Sequence, residues 1–368
     1  MSDVFRFADP IGPVHIAHLH VPGAGLKAIV VIDNVARGPA IGGARMAPDV
    51  TLEECVRLAR AMTLKNAAAG LPHGGGKSII MADPKMPEPA KERLIRCFAR
   101  AIAPLSDYIV GPDMGTDETC MAWIKDEIGR SVGLPPAMGG IPLDEIGATG
   151  FGVAACIDIA KDYCGIELDG ARVAVQGFGA VGKHAALFLA RRGVRLVAAS
   201  DTKGTVLDPN SLDVAALVAL KDAGGSVLDY TGGAKAKPDA VIDAECDIWI
   251  PAARPDVIDE RNVDRLKTRL VVQGANIPIT SGAEARLAAR GILSIPDFIA
   301  NAGGVICASV EYHGGTQSQA FAVIDEKIRA NTKAVLDRVK ASAELPRAAA
   351  NALALARVTD AARLRRFR

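Results

Sequence analysis

Three side chains in the first third of the chain have the chemistry needed to move protons on and off an amine: Lys65, Lys77 and Asp113. An amine serves as a general base when burial or a neighbouring cation favours its neutral form, and two ammonium groups in one glycine-lined site create that condition. Lys65 and Lys77 are twelve residues apart and flank the glycines of LPHGGGKSII (71–80). A helix running into a glycine turn would bring both to one place. Asp113 follows the apolar run YIVG, so it is expected at a strand end, where α/β proteins put functional groups. A carboxylate there could exchange protons with an amine. Singly, each residue reads as a surface lysine or a turn aspartate; together they form a candidate site.

The same stretch also looks like a phosphate-binding loop, but the spacing is wrong. The pattern G-x-x-x-x-G-K-[ST] needs a glycine at position 71, which is leucine, and Gly70 is one residue too early. The segment before it, 51–69, reads as a helix, with apolar residues at three- and four-residue steps and a Thr51/Glu54 capping pattern. A phosphate loop follows a strand, so this reading is set aside.

A second glycine motif has better support. Gly177, Phe178, Gly179, Ala180, Val181 and Gly182 spell G-x-G-x-x-G between the apolar run 173–176 and a helical pattern. Asp201, nineteen residues beyond Gly182, stands near the spacing expected of a carboxylate that binds the adenine ribose hydroxyls. The glycines permit a tight turn and close approach of a pyrophosphate to a helix N-terminus. Asp201 favours NAD, since a carboxylate repels a 2′-phosphate; Lys203 could compensate, so NADP is not excluded.

These residues need a scaffold, and the chain is long enough for two domains. Its 368 residues carry 43 Lys+Arg against 42 Asp+Glu, which gives no electrostatic case for nucleic acid or an anionic membrane. No apolar run reaches the ~18–20 residues needed to cross a bilayer, and the N-terminal residues lack a secretory pattern. Seven scattered cysteines without a CxxC pair, and six scattered histidines, predict buried thiols and no metal site. A cytoplasmic enzyme is expected. Strands are predicted at 25–34, 77–84 and 107–115, with a glycine-rich turn at 38–46 and helices at 51–69 and 89–105. From Arg172 onward, strand and helix alternate as in a doubly wound parallel sheet, and beyond Gln317 the chain turns helical. Gly and Pro concentrate at 133–150, and the domain boundary is expected near 135–150.

Seven ordered segments resemble the glutamate/leucine/phenylalanine/valine dehydrogenases: GPAIGGARM (38–46), MTLKNAAAGLPHGGGKS (62–78), GPDMGT (111–116), ATGFGV (148–153), VQGFGAVG (175–182), QGAN (273–276) and PDFIANAGGV (296–305). The resemblance implies an α/β protein of two domains. Residues 1–145 would bind the amino acid and make oligomer contacts. Residues 146–317 would form a Rossmann NAD(P)-binding domain, and helices at about 318–368 would pack back on the first, with the reaction in the cleft between. It further implies that Lys65 holds the substrate α-carboxylate, Lys77 is the base that activates water, and Asp113 shuttles a proton to and from nitrogen. Thr149 would bond the nicotinamide amide, and Asn276 and Asn301 would line the site near nicotinamide and substrate. The implied products are a 2-oxo acid and ammonia, and a homo-oligomer is expected.

The resemblance also implies which positions touch the substrate side chain. Glutamate-specific members carry a lysine where Ile41 stands, near Gly43, and a serine where Ala308 stands. A distal carboxylate would therefore lose both partners, and an unpaired buried charge costs several kcal/mol. Gly111, Val305 and the small Ala308 suggest a roomy pocket, so an apolar amino acid and the leucine/phenylalanine-like branch are expected. GGIPLDEIGATGFGV (139–153) looks instead like the glutamate branch, which keeps an altered glutamate dehydrogenase as the alternative. His73 stands where a less polar residue would be expected; it is read as a surface residue.

Overall fold

The computed structural model describes residues 5–365, which group into two compact units. The first holds the chain up to Pro142, together with Val305–Ala320 and the residues from Ala352 onward; the second holds Leu143–Gly304 and Phe321–Asn351.

The first unit is built on a five-stranded sheet. Its elements run β1 (His15–Val21), β2 (Leu26–Asn34), β3 (Ala40–Met46), α1 (Leu52–Ala68), β4 (Gly74–Ile80), α2 (Glu88–Ala101), β5 (Tyr108–Pro112) and α3 (Glu118–Ile128), and the sheet order is β1-β2-β4-β3-β5. β2 pairs antiparallel with β1 and β4, whereas β3 lies parallel to both β4 and β5. The run IVVI in β2 is continuously apolar because both faces of the sheet are covered. Val30 and Ile32 pack with Leu94, Ile95 and Phe98 of α2 and Met121 and Ile124 of α3. Ile29 and Val31 pack with Cys55 and Ala59 of α1. The Thr51 hydroxyl accepts from Glu54 N at 3.2 Å and starts α1 where its capping pattern predicts.

Two glycine-rich stretches expected as turns are strands. Residues 40–46 form β3, and Gly74, Gly75 and Gly76 begin β4. A Cβ on Gly74 would lie 1.7 Å from Asn34 O, and one on Gly75 would lie 2.0 Å from Thr63 N. Glycine therefore serves here to let α1 and β2 approach β4 closely, an arrangement that strand propensity alone does not reveal. The edge strand β1 (HIAHLHV) is half-exposed and too polar to stand out in the sequence.

The second unit begins with α4 (Ala148–Cys164), followed by β6 (Arg172–Gln176), α5 (Ala180–Ala190), β7 (Arg195–Ser200), β8 (Thr205–Leu207), α6 (Val214–Asp222) and β9 (Ala234–Ala236). It continues with β10 (Ile248–Pro251), β11 (Leu270–Val272), α7 (Ser281–Ala289), β12 (Leu293–Ile295) and α8 (Asp297–Ala300). The chain ends in α9 (Gly303–Tyr312), α10 (Gln317–Ser342) and α11 (Pro346–Arg363). The sheet order is β12-β11-β10-β6-β7-β8-β9. β12 through β7 are parallel, as expected, but β8 and β9 add an antiparallel edge. β6 lies between β7 and β10, so its C-terminal end is the switch point where doubly wound sheets bind ligands. No helix among the described residues is long and apolar enough to cross a membrane.

Candidate functional site

In the first unit, parallel pairing sets the geometry of the proton-handling groups. β3 lies between β4 and β5, with Gly43 opposite Gly111 and Ala44 opposite both Ser78 and Pro112. That register brings Lys77 of β4 and Asp113, just beyond β5, into direct contact, with side chains 5% and 16% exposed. Gly43 has no side chain because Asp113 fills its space: a Cβ there would lie 2.9 Å from Asp113 Oδ2. Arg45 donates from Nε to Asp113 Oδ1 at 3.0 Å and pairs with Glu54 of α1. Burial opposes ionisation of Asp113, but the Lys77 and Arg45 charges outweigh it and hold the carboxyl below its ordinary value. Lys65, itself half-buried, lies in the last turn of α1, two residues past the Thr63 that seats on Gly75. Sequence reasoning missed Arg45, although it stands two positions past Gly43 and strand alternation gives both the same face.

Ile41, Ile109, Val132 and Ala308 form a buried apolar cluster of their own. A Cβ on Gly111 would lie 3.2 Å from Val132 Cγ2, so the missing side chain leaves room beside this wall. Val305 sits one helical turn before Ala308 and is half-buried. Ile109 and Val132 were missed; Ile109 could have been found from its two-residue step to Gly111. Glu311, also missed, is a buried carboxylate that accepts from Gly133 N (2.8 Å), Leu134 N (3.2 Å) and Ile141 N (2.8 Å). It ties the Ala308 helix to the loop after Val132.

His73 is not at the surface. It is 1% exposed, with Nδ1 3.2 Å from Pro39 O and Nε2 buried without a partner. Tyr312 and His313 cover its ring. Burial, reinforced by His313, lowers its pKa to about 4, so it is neutral at ordinary pH. Tyr312 and His313 come from the end of α9, more than two hundred residues away, so local sequence does not disclose this enclosure.

The second unit carries the glycine loop at the end of β6. Gly177 has φ +91°, and a Cβ would lie 2.7 Å from that of Ala253. A Cβ on Gly182 would lie 2.1 Å from Gly177 O, whereas Gly179 faces open space. The loop thus has the tight turn, the close packing and the clear approach that a pyrophosphate requires at the N-terminus of α5. Ala180 and Val181 share a small pocket with Leu143 and Thr149. The Phe178 side chain is fully buried, so only its backbone can face a ligand. Thr149 opens α4 and stands against Gly304, where a Cβ would lie 3.1 Å from Thr149 Oγ1. Asn301 Nδ2 donates to Asn276 Oδ1 at 2.9 Å, and Asn301 Oδ1 is buried without a partner, as is Gln176 Oε1. Unfilled acceptors and an open glycine fit a dinucleotide.

Asp201 stands at the end of β7 but is not open to a ribose. Its Oδ1 accepts from Lys203 N (2.9 Å) and Ser226 Oγ (3.0 Å), and its Oδ2 from Lys221 Nζ (2.9 Å) and Val227 N (2.9 Å). Burial would raise its pKa, but Lys221 and the backbone donors lower it to about 2. The expected discrimination against a 2′-phosphate loses its basis, since the carboxylate is saturated and its charge is offset by Lys221.

Residues 13–130 match the family described as Glu/Leu/Phe/Val dehydrogenase, dimerisation domain, and residues 139–366 match Glutamate/Leucine/Phenylalanine/Valine dehydrogenase. A glutamate dehydrogenase of Aeropyrum pernix is 37% identical over 90% of this chain and 85% of its own. The structure is similar to a hetero-hexameric glutamate dehydrogenase of Thermus thermophilus, with a TM-score of 0.84, 32% identity and coverage of 97% and 91%. It is also similar to an L-tryptophan dehydrogenase of Nostoc punctiforme, with a TM-score of 0.76, 27% identity and coverage of 95% and 97%. The names of these relatives do not favour the leucine/phenylalanine-like branch. With both halves matched, the chain belongs to the glutamate/leucine/phenylalanine/valine dehydrogenase family and is an NAD(P)-dependent amino-acid dehydrogenase.

Proposed function

We propose that this chain reversibly deaminates an L-amino acid with an apolar side chain, giving the 2-oxo acid and ammonia. The observation that carries the reading is the all-apolar wall of Ile41, Ile109, Val132 and Ala308, which offers a distal carboxylate no cation or hydroxyl. Burying such a charge unpaired costs several kcal/mol, more than one apolar contact returns.

NAD(P) supplies the hydride acceptor. Lys65 holds the substrate α-carboxylate. The Asp113 carboxylate, kept ionised by Lys77 and Arg45, takes a proton from the substrate ammonium, so that the nitrogen lone pair can assist departure of hydride from Cα. Once Asp113 is neutralised, Lys77 gives its own proton to solvent and accepts one from the water that adds to the iminium carbon. Asp113 then returns its proton to the nitrogen, which leaves as ammonia while the carbinol O–H proton passes to solvent and the 2-oxo group forms. Direct contact between Lys77 and Asp113 gives a proton a path between them. Thr149, Asn276 and Asn301 bind the nicotinamide end, and the 177–182 loop binds the pyrophosphate. The seven free cysteines suit a reducing, cytoplasmic setting, and the match to a dimerisation domain supports a homo-oligomer.

A second reading, glutamate as substrate, is favoured by the names of the Aeropyrum and Thermus relatives. Ile41→Lys separates the two. Supplying a cation at the pocket wall should raise kcat/KM for glutamate relative to leucine by about tenfold or more, the worth of one charge-assisted contact. An unchanged ratio would remove Ile41 from the side-chain pocket.

A further inference from the structure

Arg347 lies at the start of α11, outside every segment in which the sequence placed a site residue. Its guanidinium is nonetheless the hub of a buried polar network. Nε donates to Glu284 at 2.8 and 2.9 Å, Nη1 to Asp297 Oδ1 at 2.9 Å, and Nη2 to Gln273 Oε1 at 2.9 Å. Gln273 Nε2 in turn donates to Glu284 at 2.8 Å and to Ser294 Oγ at 3.1 Å. Gln273, Glu284, Ser294 and Asp297 are all more than nine-tenths buried, and they come from four separate segments of the second unit.

Asp297 carries this network to the cofactor corner. Its second oxygen, Oδ2, accepts from Ile277 N at 2.8 Å, and its backbone carbonyl accepts from Asn301 N at 2.7 Å. Ile277 has φ +42°, a left-handed conformation that a β-branched residue adopts only when its surroundings impose it. The residue is 51% exposed, so apolar packing does not hold it there. What holds it is the bond from its N–H to Asp297 and the bond from Asp256 N to its carbonyl, at 3.0 Å. The strained turn aims the preceding residue, Asn276, so that its Oδ1 accepts from Asn301 and Asn301 Oδ1 is left buried and unpartnered.

We propose that Arg347 is a positioning residue for the nicotinamide end of the cofactor site, acting through Asp297 on the Ile277 turn that presents Asn276 and Asn301. The proposal rests on the reading above that these two asparagines face the nicotinamide. Arg347 saturates one side of the Asp297 carboxylate and fixes its rotamer, leaving the other oxygen to pin the strained turn.

The test is calorimetric binding to the full-length protein of two probes, NADH and ADP-ribose, which shares everything but the nicotinamide. Arg347→Met should weaken NADH by about tenfold, the loss of a charge-assisted contact, while ADP-ribose changes by less than about twofold. Arg347→Lys should recover part of the loss. Asp297→Asn should reproduce the selective effect, and serves if the Met variant does not fold. Equal weakening of both probes, or of neither, in the Arg347 and Asp297 variants would overturn the proposal. Asn301→Ala tests the underlying reading separately. If it leaves the NADH to ADP-ribose ratio unchanged, the nicotinamide assignment falls, and the proposal with it. If it shifts the ratio and the Arg347 variants do not, the proposal alone falls.

Discussion

The proton-handling site and the cofactor corner arrange their polar groups in opposite ways. In the first, Lys77, Asp113, Arg45 and Glu54 satisfy one another in a continuous chain of ion pairs. In the second, Asn301 Oδ1 and Gln176 Oε1 are buried with nothing to accept from, and Gly179 of the glycine loop faces open space. Charges taken out of water must be paired within the protein whether or not substrate is present, because an isolated buried ion costs far more than an isolated amide oxygen. A neutral acceptor can wait for its ligand at a cost of about 1–3 kcal/mol. The contrast explains why the proton-handling groups are pre-assembled while the cofactor corner is left incomplete.

The largest expected effect breaks the first region and spares the second. Lys77→Ala should lower kcat on the order of a thousandfold, within the usual range for a lost general base, and leave the NADH dissociation constant nearly unchanged. Measured by steady-state kinetics and calorimetry together, a variant with normal turnover would remove Lys77 from the chemistry. One that also lost NADH would mean that the two regions are not separate in function.

A smaller effect sharpens the comparison, because one orphaned acceptor lies in neither region. His73 Nε2 is buried without a partner among Pro39, Tyr312 and His313. Its folded-state pKa of about 4 lies below the ordinary 6.5. Between these values the unfolded chain binds a proton that the folded chain does not, so stability is full above pH 6.5 and falls as pH drops toward 4. The contribution amounts to about 3 kcal/mol. Denaturant unfolding from pH 7 to pH 4 should give a shallower loss for His73→Gln than for the natural chain. Equal slopes would show that His73 does not report this burial.

The sequence disclosed the chemistry better than the packing. Lys65, Lys77, Asp113 and the 177–182 loop are chain-local signals, since residue type and spacing carry them. The glycines at 74–76 were legible as glycines but not as strand, because their reason is the approach of Asn34 and Thr63 from other segments. Asp201 stood at the right position, yet the donors that saturate it come from Lys221, Ser226 and Val227, twenty and more residues away. Arg45 could have been found by strand alternation. Val132, Glu311 and the Arg347 network could not, because each acts through long-range contacts that leave no local periodicity.

The central claim is that a family containing glutamate dehydrogenases here presents an apolar wall to the substrate side chain. The most direct measurement is kcat/KM of the natural chain for leucine, valine, phenylalanine and glutamate, followed by NADH or NADPH formation. At least one apolar substrate should exceed glutamate by about a hundredfold, the expected penalty for a buried carboxylate without a partner. Strong activity on glutamate with none on the apolar three would contradict it.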